Sequence, residues 1–64
     1  MTPTPDQLQE LYLIGHELTA QLKCYIRLIE LLPSGELCIV TQPRELPNQR
    51  MIIYVNPNGG RRYV

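Results

Sequence analysis

Near the middle of the chain, Leu32-Pro33-Ser34-Gly35 separates two apolar segments, 23–32 and 36–41. Proline fixes φ for the second position of a type I turn, and glycine supplies the positive φ of the bulge that follows. A turn this tight sends the chain straight back on itself. Residues 36–41 read as a strand, because β-branched side chains dominate their second half. Residues 23–32 are ambiguous. Their leucines suit a helix, and no breaker separates them from the preceding segment, so one long helix to Leu32 is the competing reading. The turn favours a hairpin. Pairing Leu32 with Glu36 then sets the register: Leu31 faces Leu37 and Ile29 faces Ile39 on one side, Leu28 faces Val40 and Glu30 faces Cys38 on the other.

Upstream, Thr4-Pro5-Asp6-Gln7 is a helix start. Thr-x-x-Gln forms a capping box, Pro at the first helical position costs no hydrogen bond, and Asp6 meets the positive end of the helix dipole. Leu8, Leu11, Tyr12, Leu18 and Leu22 recur at helical spacing, and Gly15 on the same stripe permits close approach of a strand. The helix is expected from about Pro5 to about Gln21. Downstream, residues 42–49 hold Pro43 and Pro47 and read as a loop. Residues 50–55 read as a third strand, Asn56-Pro57-Asn58-Gly59-Gly60 as a second tight turn, and residues 61–64 as a short returning edge. The expected fold is α+β over a single domain, 1–64: one N-terminal helix on a three- to four-stranded antiparallel sheet.

A half-exposed strand alternates apolar and polar residues. These strands do not. Ile29, Leu31, Leu37 and Ile39 fall on one face, and Ile26, Leu28 and Val40 on the other; Met51, Ile53 and Val55 oppose Ile52 and Tyr54. One short helix covers only one face. The face with Ile26, Leu28, Val40 and Tyr54 is therefore the expected contact surface for a second copy or another protein. The chain is then a non-catalytic interaction module or the subunit of a homodimer.

Composition narrows the alternatives. Six basic residues balance six acidic ones over 64 residues, so no long-range charge draws the chain to nucleic acid. The alternative function, a small nucleic-acid-associated regulator, rests on Arg61 and Arg62 gripping an anion at the C-terminal turn. The Gly59-Gly60 pair there is no phosphate loop, since no Lys-Ser/Thr follows at a helix start. His16, Cys24 and Cys38 match no zinc spacing, and no metal or cofactor is expected. Adjacent His16 and Glu17 point about 100° apart on a helix, so they make no base–orienter pair, and no enzyme activity is expected. In the proposed register Cys24 and Cys38 share a face but lie about 20 Å apart along the strand, too far for a disulfide. No apolar run approaches the ~20 residues of a membrane span, and the opening residues lack a secretory pattern, so a cytoplasmic protein is expected.

The opening Pro-Thr-Pro-Asp-Gln-Leu-Gln-Glu-Leu-Tyr, then Glu17-Leu18-Thr19, Ile26-Arg27-Leu28-Ile29, Ser34-Gly35-Glu36-Leu37-Cys38-Ile39 and a final Asn-Gly turn form an ordered set. This order resembles short uncharacterised proteins found mainly in cyanobacteria. The resemblance implies a small intracellular protein and carries over no functional residue.

Overall fold

The capping box at Thr4 forms as its residues dictate. Thr4 Oγ1 accepts from the Gln7 backbone N–H at 3.1 Å, and Gln7 Oε1 accepts from the Thr4 N–H at 2.9 Å. A computed structural model describes residues 2–46 and 48–64, with Gln21 and Leu22 described in backbone only. The predicted place of Leu22 on the helix stripe therefore lies outside the described residues, as does Pro47. Helix α1 (Pro5–Glu17) runs into one π turn, Leu18–Leu22. Lys23 ends it at φ 50°, giving its N–H to the Leu18 carbonyl. A left-handed lysine costs roughly 1 kcal/mol. Pairing of the strand that follows offsets that cost, and the continuous helix to Leu32 does not form.

Four strands follow: β1 (Cys24–Leu31), β2 (Leu37–Pro43), β3 (Met51–Val55) and β4 (Arg61–Tyr63). They form one antiparallel sheet in the order β1-β2-β3-β4. The class is α+β, one helical segment on a four-stranded antiparallel sheet. Both predicted turns form. Gly35 and Gly59 each adopt φ 91°, a left-handed value that favours glycine, and each N–H closes back at 2.9 Å, onto Leu32 and Asn56 respectively. The Leu32 N–H donates to the Glu36 carbonyl at 2.8 Å, and the predicted register holds from Leu31↔Leu37 to Leu28↔Val40.

Beyond Leu28 the register shifts. A β-bulge between Ile26 and Leu28 sets Ile26 against Thr41, and Arg27 is the extra residue. One extra residue inverts every side chain upstream of it. Ile26 therefore turns under the helix, where a Cβ on Gly15 would lie 3.9 Å from its Cδ1. This corrects the sequence reading that grouped Ile26 with Leu28. The same inversion separates the cysteines: Cys24 is buried in the core and Cys38 lies on the opposite face. A second correction concerns residues 42 and 43, which continue β2 rather than open a loop.

Ile14 and Leu18 from the helical segment meet Cys24, Leu37, Ile39, Ile53 and Val55 of the sheet, with Leu11, Ile26, Leu31 and Met51 packed around them. The helix is rotated from its predicted orientation. Leu8 and Tyr12 are exposed, and the line facing the sheet is Gln7, half-buried Leu11, Ile14 and Leu18 at helical spacing. Gln7 is a core residue, 1% exposed. Its Nε2 donates to the Gly35 carbonyl at 2.7 Å and to the Val55 carbonyl at 3.0 Å, tying the helix start to the first turn and to the end of β3.

Candidate functional site

The helix covers one face of the sheet and leaves the other open. Strand register places Leu28, Val40 and Ile52 in one row across β1, β2 and β3 of the open face. The next row reads Glu30, Cys38, Tyr54 and Arg62. Leu28 is 53% exposed, while Val40, Ile52 and Tyr54 are half-buried within the sheet's own surface. Leu28, Val40 and Tyr54 thus share a face as predicted, and Ile26 does not join them. Ile52, which the sequence reading left out of the contact set, joins the row by strict alternation with Tyr54. That alternation was the available signal.

Polar residues rim this apolar strip. At one end the Arg62 guanidinium stacks over the Tyr54 ring, 4.3 Å from its centroid, and donates to Glu36 Oε2 at 3.2 Å. At the other end Arg27 donates to Gln42 Oε1 at 2.6 Å. An apolar centre inside a polar rim is the usual anatomy of a protein–protein contact.

The two C-terminal arginines fall on opposite faces. Arg61 lies on the helix side and binds Glu10 at 2.6 Å, Glu17 at 2.9 Å and the Tyr63 hydroxyl at 3.2 Å. The Glu17 carboxylate, then Tyr63 and Glu10, hold Arg61 protonated well above the ordinary guanidinium value, with desolvation opposing. In return the hydrogen bond from Arg61 lowers Glu17. Arg61 and Arg62 are thus both occupied by carboxylates and do not converge on one point.

Burial pushes the Cys38 thiol up, the negative charge of Glu30 pushes it further, and a hydrogen bond with Tyr54 opposes both. At neutral pH it is a protonated thiol and a poor nucleophile. Iodoacetamide labelling followed by mass spectrometry is expected to modify Cys38 more slowly in the folded than in the unfolded chain. The raised value also fixes the sign of its linkage. Its contribution to stability is complete below the unfolded thiol value of about 8.5 and is lost as pH climbs through the folded value. Cys38→Val is expected to flatten the alkaline fall in melting temperature; an unchanged slope would count against this account.

His16 is exposed and meets Tyr12 edge-on, ring centroids 5.2 Å apart. A shallow hollow of about 450 Å³ beside them is lined by Leu11, Tyr12, Gly15, His16 and Thr19. Among the described residues no three His, Cys, Asp or Glu side chains gather as metal ligands, and no helix is long and apolar enough to cross a membrane. The chain matches no family model, no curated protein and no solved structure.

Proposed function

We propose that this chain is a non-catalytic, cytoplasmic interaction module, a small subunit whose open sheet face is covered by protein. The covering chain is a second copy or a different polypeptide. The Leu28–Val40–Ile52 row, continued by Tyr54, is the observation that carries this reading. A strand face that meets water normally carries polar residues; three adjacent strands here present aliphatic side chains at one level. The supporting features are the polar rim and the zero net charge, which removes long-range repulsion between copies.

The test uses methyl NMR. The Val40 and Ile52 methyl resonances are expected to move on concentration or on adding an extract of the source cells. Val40→Glu is expected to abolish the response while leaving the far-UV circular dichroism spectrum intact. Methyl signals that answer to neither treatment would sink the proposal.

A further inference from the structure

We infer that a second copy of this chain adds to the free edge of β1, antiparallel, β1 against β1, about a two-fold axis at Ile29. This concerns the sheet edge and stands independently of what covers the open face.

The sheet has two edges, β1 and β4. β4 is three residues long and carries two arginines, a short charged edge of the kind that resists further pairing. β1 is eight residues long and contains no proline. Four consecutive residues in its middle, Arg27 to Glu30, are exposed, and the central pair is apolar: Leu28 is 53% and Ile29 44% exposed. An edge of this kind is a template for another strand.

The backbone says which groups are available. Leu32 and Glu36 form a hydrogen-bonded pair, and antiparallel pairs alternate between bonded and non-bonded. Glu30 and Leu28 therefore turn their N–H and C=O groups towards β2. Ile29 and Leu31 turn theirs outward, away from the sheet. Those outward groups are the chemistry that selects the occupant, an extended strand.

Symmetry and charge select the register. Centring the axis on Ile29 pairs Ile29 with its own copy and Leu28 with Glu30 of the other. Glu30 makes no ion pair among the described residues, and this register brings it next to Arg27 of the other copy, a mutual charge match. Centring on Glu30 would set two carboxylates directly opposite, which destabilises a strand pair. Centring on Leu31 would set Ile29 against Pro33, which has no N–H to give. Centring on Arg27 falls on the bulge, where the ladder is broken.

The helix layer fits the same axis. Glu10 and Glu17 reach Arg61 on the β4 side, so helical geometry puts Leu8, Tyr12 and Gly15 on the flank towards β1. Leu8 is 51% and Tyr12 67% exposed, and Ile29 lies on the same side of the sheet. The paired strand brings the Ile29 side chain of the other copy under that flank. The result is a closed dimer with one eight-stranded sheet, both helices on one side and the two open faces joined into one. Both outer edges of that sheet are β4, and these short, arginine-bearing strands stop further growth.

Sedimentation equilibrium tests this with the full chain. Wild type is expected to dimerise. Ile29→Lys, which opposes two like charges at the axis, is expected to raise the dimer dissociation constant by more than about tenfold with an unchanged circular dichroism spectrum. Val40→Glu is expected to remain a dimer. Under mild oxidation Ile29→Cys is expected to cross-link, because bonded antiparallel partners lie about 5.5 Å apart at Cα. Leu28→Cys and Glu30→Cys, one residue to either side, are expected to stay at the wild-type background. A monomeric wild type, an Ile29→Lys dimer as tight as wild type, or stronger cross-linking of Leu28→Cys or Glu30→Cys would each overturn the inference. Dissociation by Val40→Glu with Ile29→Lys still dimeric would also overturn it, while leaving the open-face reading in place.

Discussion

Gln7→Leu is expected to cost about 3 kcal/mol of stability and to lower the melting temperature by about 15 °C. The leucine fills nearly the same space but supplies neither donor nor acceptor. It leaves the Val55 carbonyl, buried with Gln7, without the Nε2 donor, and takes the same donor from the Gly35 carbonyl. It also removes the acceptor for the Thr4 N–H and so half of the capping box. Each orphaned polar group costs roughly 1–3 kcal/mol when water is kept away. Gln7→Glu separates this effect from packing. Its carboxylate would face two carbonyl oxygens, so its folded pKa rises above the unfolded one. Its stability is then greatest below the unfolded value and falls as pH rises through the folded value. Thermal melts of both variants across pH check the account. A Gln7→Leu protein as stable as wild type would show that the two carbonyls find other donors.

Gln7 also shows where sequence reading reaches its limit. The residue was legible as a cap, because Thr-x-x-Gln spells a local reciprocal bond. Its core position was not, because the carbonyls it serves lie 28 and 48 residues away. The helix orientation failed for a related reason. Leu8, Leu11, Tyr12, Leu13 and Ile14 make so broad an apolar arc that periodicity alone does not choose its centre. A stripe built from apolar side chains alone includes Leu8 and has no place for the polar Gln7, which is the residue that faces the core.

The hairpin register was legible because two short-range signals agree: the Pro33-Ser34-Gly35 turn and the alternation from Leu28 to Val40. It failed at Arg27. Bulges are often marked by glycine, and Tyr25-Ile26-Arg27-Leu28 has none. Gly15 on the helix stripe suggested where a strand comes close, and Ile26 is the residue beneath it, although a Cβ there would make only an ordinary contact, 3.9 Å from Ile26 Cδ1. Three of the four expected contact residues therefore fall together, and the fourth passes to the core. The open face itself was legible from composition and length. Apolar residues on both sides of the strands outrun what one helix of this size can cover.

Ile39→Ala is expected to leave the chain largely unfolded in dilute solution, whereas Val40→Ala, one residue along the same strand, stays folded. The two side chains occupy equivalent positions on opposite faces. Ile39 lies between Ile29 and Ile53, is 0% exposed and packs in the core with Ile14 and Leu18. Val40 lies between Leu28 and Ile52 with no helix above it. Removing a buried isoleucine side chain costs roughly 2–5 kcal/mol. A single core in a chain this short rarely supplies more than about 3–5 kcal/mol in total. The loss thus takes most of what holds the monomer together. Association changes the outcome in a measurable way. A partner copy binds only the folded chain, so raising the concentration pulls Ile39→Ala back towards the native state. Circular dichroism melts over a concentration series are expected to show a midpoint that climbs with concentration for wild type and more visibly for Ile39→Ala. Val40→Ala is expected to climb as wild type does if copies join at the β1 edge, and to lose that dependence if copies join through the open face. A midpoint independent of concentration in all three proteins would mean that the 64-residue core stands alone.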